Sequence, residues 1–151
     1  MAINEHAPVV ARGETHIAAP PDVVWQVMST VSDWPSWNPD IKEARLEGPL
    51  APGSRFRWRA GPGQITSVLR DVRPGQLLEW TGSTFGVKAV HVWRLEPAGA
   101  GTIARTEESW EGLPATLFRG RSKRTLDAAI ESGLRLLKAE SERRAAEASR
   151  P

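Results

Sequence analysis

The side chains best suited to chemistry are His91 and a glutamate at position 107 or 108. His91 falls in an alternating run, with Ala89, His91, Trp93 and Leu95 set against Val90, Val92, Arg94 and Glu96. Successive strand residues face opposite sides, so the charges of the second set turn His91 and Trp93 inward. The next run divides into Ala104, Thr106, Glu108 and Trp110 against Ile103, Arg105, Glu107, Ser109 and Glu111. Three charges make the odd set the solvent face and bring Glu108 beside His91 across a hairpin. A slip of one residue would bring Glu107 there instead. An inward glutamate among tryptophans costs several kcal/mol as a lone anion, so it needs a partner or a proton. Three readings of the pair stay open: a structural hydrogen bond, a polar anchor for a ligand's hydroxyl or carbonyl, or a general acid/base couple.

Other chemistries lack their parts. The chain has no cysteine and no tyrosine, which removes thiol nucleophiles, disulfides, cysteine-bound zinc and a phenol acid. No serine sits in a Gly-x-Ser-x-Gly turn. His6, His16 and His91 are scattered, so no metal site is expected. Gly61-Pro62-Gly63 and Gly99-Ala100-Gly101 read as hairpin turns rather than phosphate loops, since neither opens a helix. No cofactor is expected either. The net charge is only +2, with nine basic and five acidic residues in 114–151, which does not call for nucleic acid. The cluster Arg119, Arg121, Lys123 and Arg124 reads as a solvated helix face or as a contact to an anionic partner or lipid headgroup. No stretch nears the roughly 20 apolar residues of a membrane span. Residues 1–6 lack the pattern of a secretion signal, and the expected location is cytoplasmic.

The elements that must hold these groups follow from turn signals and periodicity. Residues 9–17 form a first strand, ended by Pro20-Pro21, where proline suits a helix start and Asp22 its positive end. Val24, Val27, Met28 and Val31 keep a helical spacing, and 33–40, holding Trp34 and Trp37, is too rich in proline for a regular element. Six strands follow, over 41–47, 55–60, 64–72, 77–82, 87–96 and 102–110, separated by Gly and Pro turns. Leu126, Ala129, Ile130, Gly133, Leu134 and Leu137 then make one apolar stripe on a long final helix. A lead-in turn over 113–118 precedes it, and Gly120 weakens a continuous helix there. The predicted fold is α+β: a bent seven-stranded antiparallel sheet wrapped around the C-terminal helix, with two short helices after the first strand. One domain spans 1–151, with a core of about 8–142 and loose ends at 1–7 and 143–151.

Such a sheet leaves a cavity between itself and the helix, open near the short helices. Alternation places Phe56 and Trp58 inside with Arg55, Arg57 and Arg59 in water, and Leu78 and Trp80 inside with Glu79 outside. Three indoles on the wall imply a small cavity. Trp34 and Trp37 sit at the mouth, as plugs on the core edge or as a gate touching ligand or membrane.

The order and spacing of several motifs carry a resemblance. They are Ile17-Ala18-Ala19-Pro20-Pro21-Asp22-Val23-Val24-Trp25, Asp33-Trp34-Pro35-Ser36-Trp37-Asn38-Pro39 and Arg73-Pro74-Gly75-Gln76-Leu77-Leu78-Glu79-Trp80. Gly101-Thr102, Glu108, Gly112 and Leu136-Leu137-Lys138 complete the pattern. Over about residues 8–142 the chain resembles the START-like, or helix-grip, superfamily, and within it the polyketide cyclase/dehydrase and lipid-transport family. The resemblance implies a ligand-holding cavity, used by carriers, receptors or aromatic cyclases, and does not fix an activity. The expected partner is a small hydrophobic or aromatic molecule, held by a carrier or sensor. The alternative is a cyclase or dehydratase using His91 and Glu108. Ligand contacts are expected from Trp34, Trp37, Trp58, Trp80, His91, Trp93, Thr106, Glu108, Phe118, Leu126 and Ile130.

Overall fold

The computed structural model describes residues 3–150. Seven strands form one antiparallel sheet: β1 (Val9–Ile17), β2 (Ile41–Glu47), β3 (Arg55–Ala60), β4 (Gly63–Arg73), β5 (Leu77–Thr84), β6 (Val87–Ala98) and β7 (Gly101–Glu111). Their order is β1-β7-β6-β5-β4-β3-β2. The meander from β2 to β7 is thus all hairpins, and only the passage from β1 to β2 crosses between edges. That passage carries α1 (Pro21–Ser29), a 3-10 turn (Val31–Asp33) and α2 (Trp34–Trp37). Segment 33–40, expected to be irregular, is therefore helical up to Trp37; proline at the first turn of a helix removes no needed donor. Register shifts at Ile41/Glu43 and Leu69/Asp71 mark irregularities that help to bend the sheet.

The chain closes with α3 (Leu113–Leu117) and α4 (Arg119–Ala148). Leu126, Ile130, Leu134 and Leu137 of α4 are buried in one cluster with Val9, Ile17, Val24, Val27, Phe56, Leu69 and Leu78. These are the four leucine and isoleucine positions of the stripe read from the sequence, while Ala129 is exposed and Gly133 half-buried. Close approach of α4 to β1 needs Gly13: a Cβ there would meet Leu134 Cδ1 at 2.7 Å. Two lysines of α4 reach the edge strand, Lys123 Nζ to the Val10 carbonyl and Lys138 Nζ to the His16 carbonyl, both at 2.8 Å. The Glu142 carboxylate accepts from the Ala18 amide at 2.8 Å.

Two expectations change on the convex face. Glu79, assigned to water, is fully buried. Its face is covered by a second apolar cluster of Ile3, Leu77 and Val92, with Val10 and Val90 packed around it. Arg70 Nε lies 3.7 Å from Glu79 Oε2. The ends are also tied down more than expected. Ile3 is buried, and the Asn4 amide donates to Ser109 Oγ at 3.1 Å. At the other end α4 continues to Ala148, with Ser141 buried and Ala145 against the core. Residues 1, 2 and 151, part of the expected loose ends, lie outside the described residues.

Candidate functional site: a tryptophan-lined cavity with one histidine–glutamate pair

Between the concave face and α4 lies a cavity of about 760 Å³. Alternation dictates its wall: Trp58, Trp80, His91, Trp93, Glu108 and Trp110 point inward from β3, β5, β6 and β7. Leu126, Ala129, Ile130 and Gly133 of α4 close one side, and Trp34, Trp37 and Asn38 close the end beside α2. The volume matches about 25 water-sized groups, larger than three wall indoles suggested. The indoles line the wall edge to edge instead of filling the space. Trp34 packs against Phe56 at 5.5 Å and 88° and against Trp58 at 5.6 Å and 82°. Its own N–H donates to the Met28 carbonyl at 3.0 Å, while Trp58 donates to Ser67 Oγ at 3.0 Å. Trp37 differs, because its buried indole N–H has no hydrogen-bond partner in the protein.

The register brings His91 opposite Glu108 and Trp93 opposite Thr106. His91 Nδ1 lies 2.8 Å from Glu108 Oε1, and both side chains are 14% exposed. Nε2 lies 2.8 Å from Thr106 Oγ1. Thr106 Oγ1 also donates to the Val92 carbonyl at 3.0 Å. Trp110 Nε1–H donates to Glu108 Oε2 at 2.5 Å, so the glutamate has a partner at each oxygen. The imidazole ring lies 4.6 Å from Trp80 and 5.6 Å from Trp93.

Most residues singled out from sequence meet here. Trp34, Trp37, Trp58, Trp80, His91, Trp93, Glu108, Leu126 and Ile130 all line the cavity. Trp34 is also core, at 5% exposure, so plug and wall are the same residue. Thr106 is off the wall: it is buried behind His91 and holds the ring by its Nε2. Phe118 is off the wall too, 61% exposed, because the α3–α4 junction turns it outward. Pro114 and Phe85 border the opening instead. Among the described residues no strand arginine lines the cavity: Arg70 and Arg105 pair on the other face with Glu79 and with Glu14 and Glu96, respectively. Trp110 was missed although it shares the even face of β7 with Glu108, a signal already in the alternation. Met28, Asn38, Ile65 and Phe85 carried no such signal, since the close approach of their elements is tertiary. Among the described residues no group of three or more acidic, histidine or cysteine side chains is placed to hold a metal ion.

A bent antiparallel sheet gripping one long helix over a ligand-sized cavity defines a helix-grip, START-like domain. The chain belongs to the polyketide cyclase/dehydrase and lipid-transport family, whose sequence profile matches residues 8–142. No curated protein matches the chain. Solved structures share its fold at low identity. The hypothetical protein jhp0584 from Helicobacter pylori is 16% identical with a TM-score of 0.79, over 91% of this chain and 90% of that one. TTHA0849 from Thermus thermophilus is 17% identical with a TM-score of 0.75, over 93% and 99%. The di-domain ARO/CYC StfQ from the steffimycin biosynthetic pathway is 19% identical with a TM-score of 0.77, over 91% of this chain and 52% of that one. At such identities the likeness is one of fold, and the site must speak for function.

Proposed function

We propose that the protein binds a largely apolar, ring-containing molecule in this cavity and serves as its carrier or sensor. The observation behind this reading is the combination of an indole-lined space of about 760 Å³ with one half-enclosed polar pair on its wall. A hydroxyl or carbonyl of the ligand docks at His91–Glu108. A ligand burying about 300 Å² of apolar surface gains roughly 7 kcal/mol. Association takes much of that, so affinity in the micromolar range is expected. Six of the seven tryptophans line the cavity, so a bound molecule should quench most of the intrinsic fluorescence. Native mass spectrometry of freshly purified protein, followed by quenching titrations with aromatic and lipid compounds, tests the reading. A chain that carries nothing and is quenched by none of them refutes it.

The close contact of His91 Nδ1 with Glu108 Oε1 favours a second reading, acid/base cyclisation or dehydration of an aromatic or polyketide-like substrate. Glu108→Gln and His91→Ala then abolish turnover while ligand affinity stays within a few fold. Turnover that persists in both variants counts against it.

A further inference from the structure

We propose that the rim of the cavity is a docking surface for an anionic lipid bilayer. Four large hydrophobic side chains are exposed among the described residues: Phe85 at 74%, Leu113 at 69%, Leu117 at 67% and Phe118 at 61%. They fall in two neighbouring segments, the β5–β6 turn and α3 with its junction to α4. Phe85 borders the cavity, and α3, which carries Leu113 and Leu117, packs on the β5–β6 turn, where Pro114 lies 3.6 Å from a Cβ built at Gly86. Phe118 follows directly. Single exposed apolar residues are ordinary, but a patch gathered at a cavity mouth marks an interaction site.

Phe85 makes the point twice. Thr84 pairs with Val87, so Phe85-Gly86 is a two-residue hairpin turn with φ of 45° and 78°. Asn, Asp or Gly relieves the first position of such a turn, whereas a bulky side chain is strained there. The ring of this strained residue lies over Gly63, where a Cβ would meet Phe85 Cε2 at 2.2 Å, and its other face is left open at the rim.

The charge beside the patch selects the occupant. Arg119, Arg121 and Arg124 are exposed on the first turns of α4, and among the described residues none of them is in an ion pair. Lys123 of the same cluster is engaged with Asp127 and the Val10 carbonyl. Lys88 and Glu111 are paired across β6 and β7, so with the three arginines the local balance is four cations to one anion, +3. A second copy seated by two-fold symmetry on this face would set that charge against itself. Anionic headgroups complement it, and a bilayer takes the apolar side chains without needing a shaped partner. The inference rests on the proposed ligand in one respect: an apolar molecule passes from bilayer to cavity without crossing water.

The test is co-sedimentation of the full chain with phosphatidylcholine vesicles, with and without phosphatidylserine. Expected is binding at least ten-fold stronger to the anionic vesicles, weakened by added salt. Phe85→Asn with Phe118→Ser should lower that binding at least ten-fold, and Arg119→Glu with Arg121→Glu should erase the preference for phosphatidylserine. Asparagine suits the turn, so the circular dichroism of the first pair should match the parent. Protein left in the supernatant with both vesicle types overturns the proposal, as does equal binding by the variants. Self-association in sedimentation velocity that the same substitutions abolish would overturn it in favour of a second copy. Uptake of 1-anilinonaphthalene-8-sulfonate, read by tryptophan quenching without vesicles, reports the cavity separately. Uptake with no vesicle binding overturns the docking alone, and vesicle binding with no uptake overturns the ligand reading alone.

Discussion

Gly133 lies in the middle of α4, on the wall facing Trp93, and offers a test of both packing and function. A Cβ at this position would sit 3.7 Å from Trp93 Cζ2 and 3.9 Å from Cη2, ordinary van der Waals distances. Glycine inside a helix is about 1 kcal/mol less favourable than alanine. Gly133→Ala is therefore expected to stabilise the protein by about 1 kcal/mol. For a domain of this size that raises Tm by about 2–4 °C. With a urea slope near 2 kcal/mol per M, the unfolding midpoint moves up by about 0.5 M. Gly13→Ala supplies the opposite sign, because its Cβ would collide with Leu134 Cδ1 at 2.7 Å and press Ile130 Cγ2 at 3.1 Å; a loss of about 1–3 kcal/mol is expected. A larger substitution carries the argument into function. Gly133→Phe projects a ring into the cavity, so ligand quenching should fall while the fold persists. Urea denaturation with tryptophan fluorescence and circular dichroism reads the first two variants, and a ligand titration the third. A destabilised Gly133→Ala would refute the placement of α4 over Trp93. Unchanged ligand affinity in Gly133→Phe would refute the cavity as the site.

Two further tests address charge. Arg70→Ala leaves the fully buried Glu79 carboxylate without the guanidinium 3.7 Å away, and a loss of about 3 kcal/mol is expected. Adding Glu79→Leu should recover most of it, and urea denaturation of the singles and the double gives the coupling; additive losses would show that the pair does not interact. Glu140 is held at a pKa of about 2 by hydrogen bonds from Arg143 and then Arg144, against the opposing effect of burial. Its pKa is depressed in the folded state, so its contribution is present above about 4.5 and lost as pH falls toward about 2. Glu140→Gln should cost about 0.5–1 kcal/mol at neutral pH, since Arg143 is half exposed, and nothing near pH 2. Parallel stability curves for parent and variant across that range would contradict the assignment.

Strands were legible because glycine and proline punctuate them and because charge sorts the two faces. The same reasoning favoured the β6–β7 register that forms, His91 opposite Glu108, over the one-residue slip to Glu107 that alternation alone left open. Glu79 shows where that logic ends. Alternation says which face a residue takes, and it says nothing of whether a distant segment covers that face. Here Ile3, more than 70 positions away in the chain, helps to do so. Cavity volume was equally out of reach, because it depends on how indoles tilt against one another. Phe118 failed for a local reason: a turn between two helices can rotate a side chain by half a circle without altering the spacing of apolar residues.

The two free edges of the sheet meet approaching chains differently. On β1 the Val10 and His16 carbonyls are already taken by Lys123 and Lys138, so an incoming strand finds two acceptors occupied and a helix in its path. On β2 the Leu46 amide donates to Ser32 Oγ at 3.4 Å, and the rest of its defence is composition: Lys42, Glu43, Arg45 and Glu47 put charge at four of seven positions. Edge-to-edge polymerisation in concentrated solution would therefore nucleate at β2, and neutralising those four charges would favour fibres there sooner than on β1.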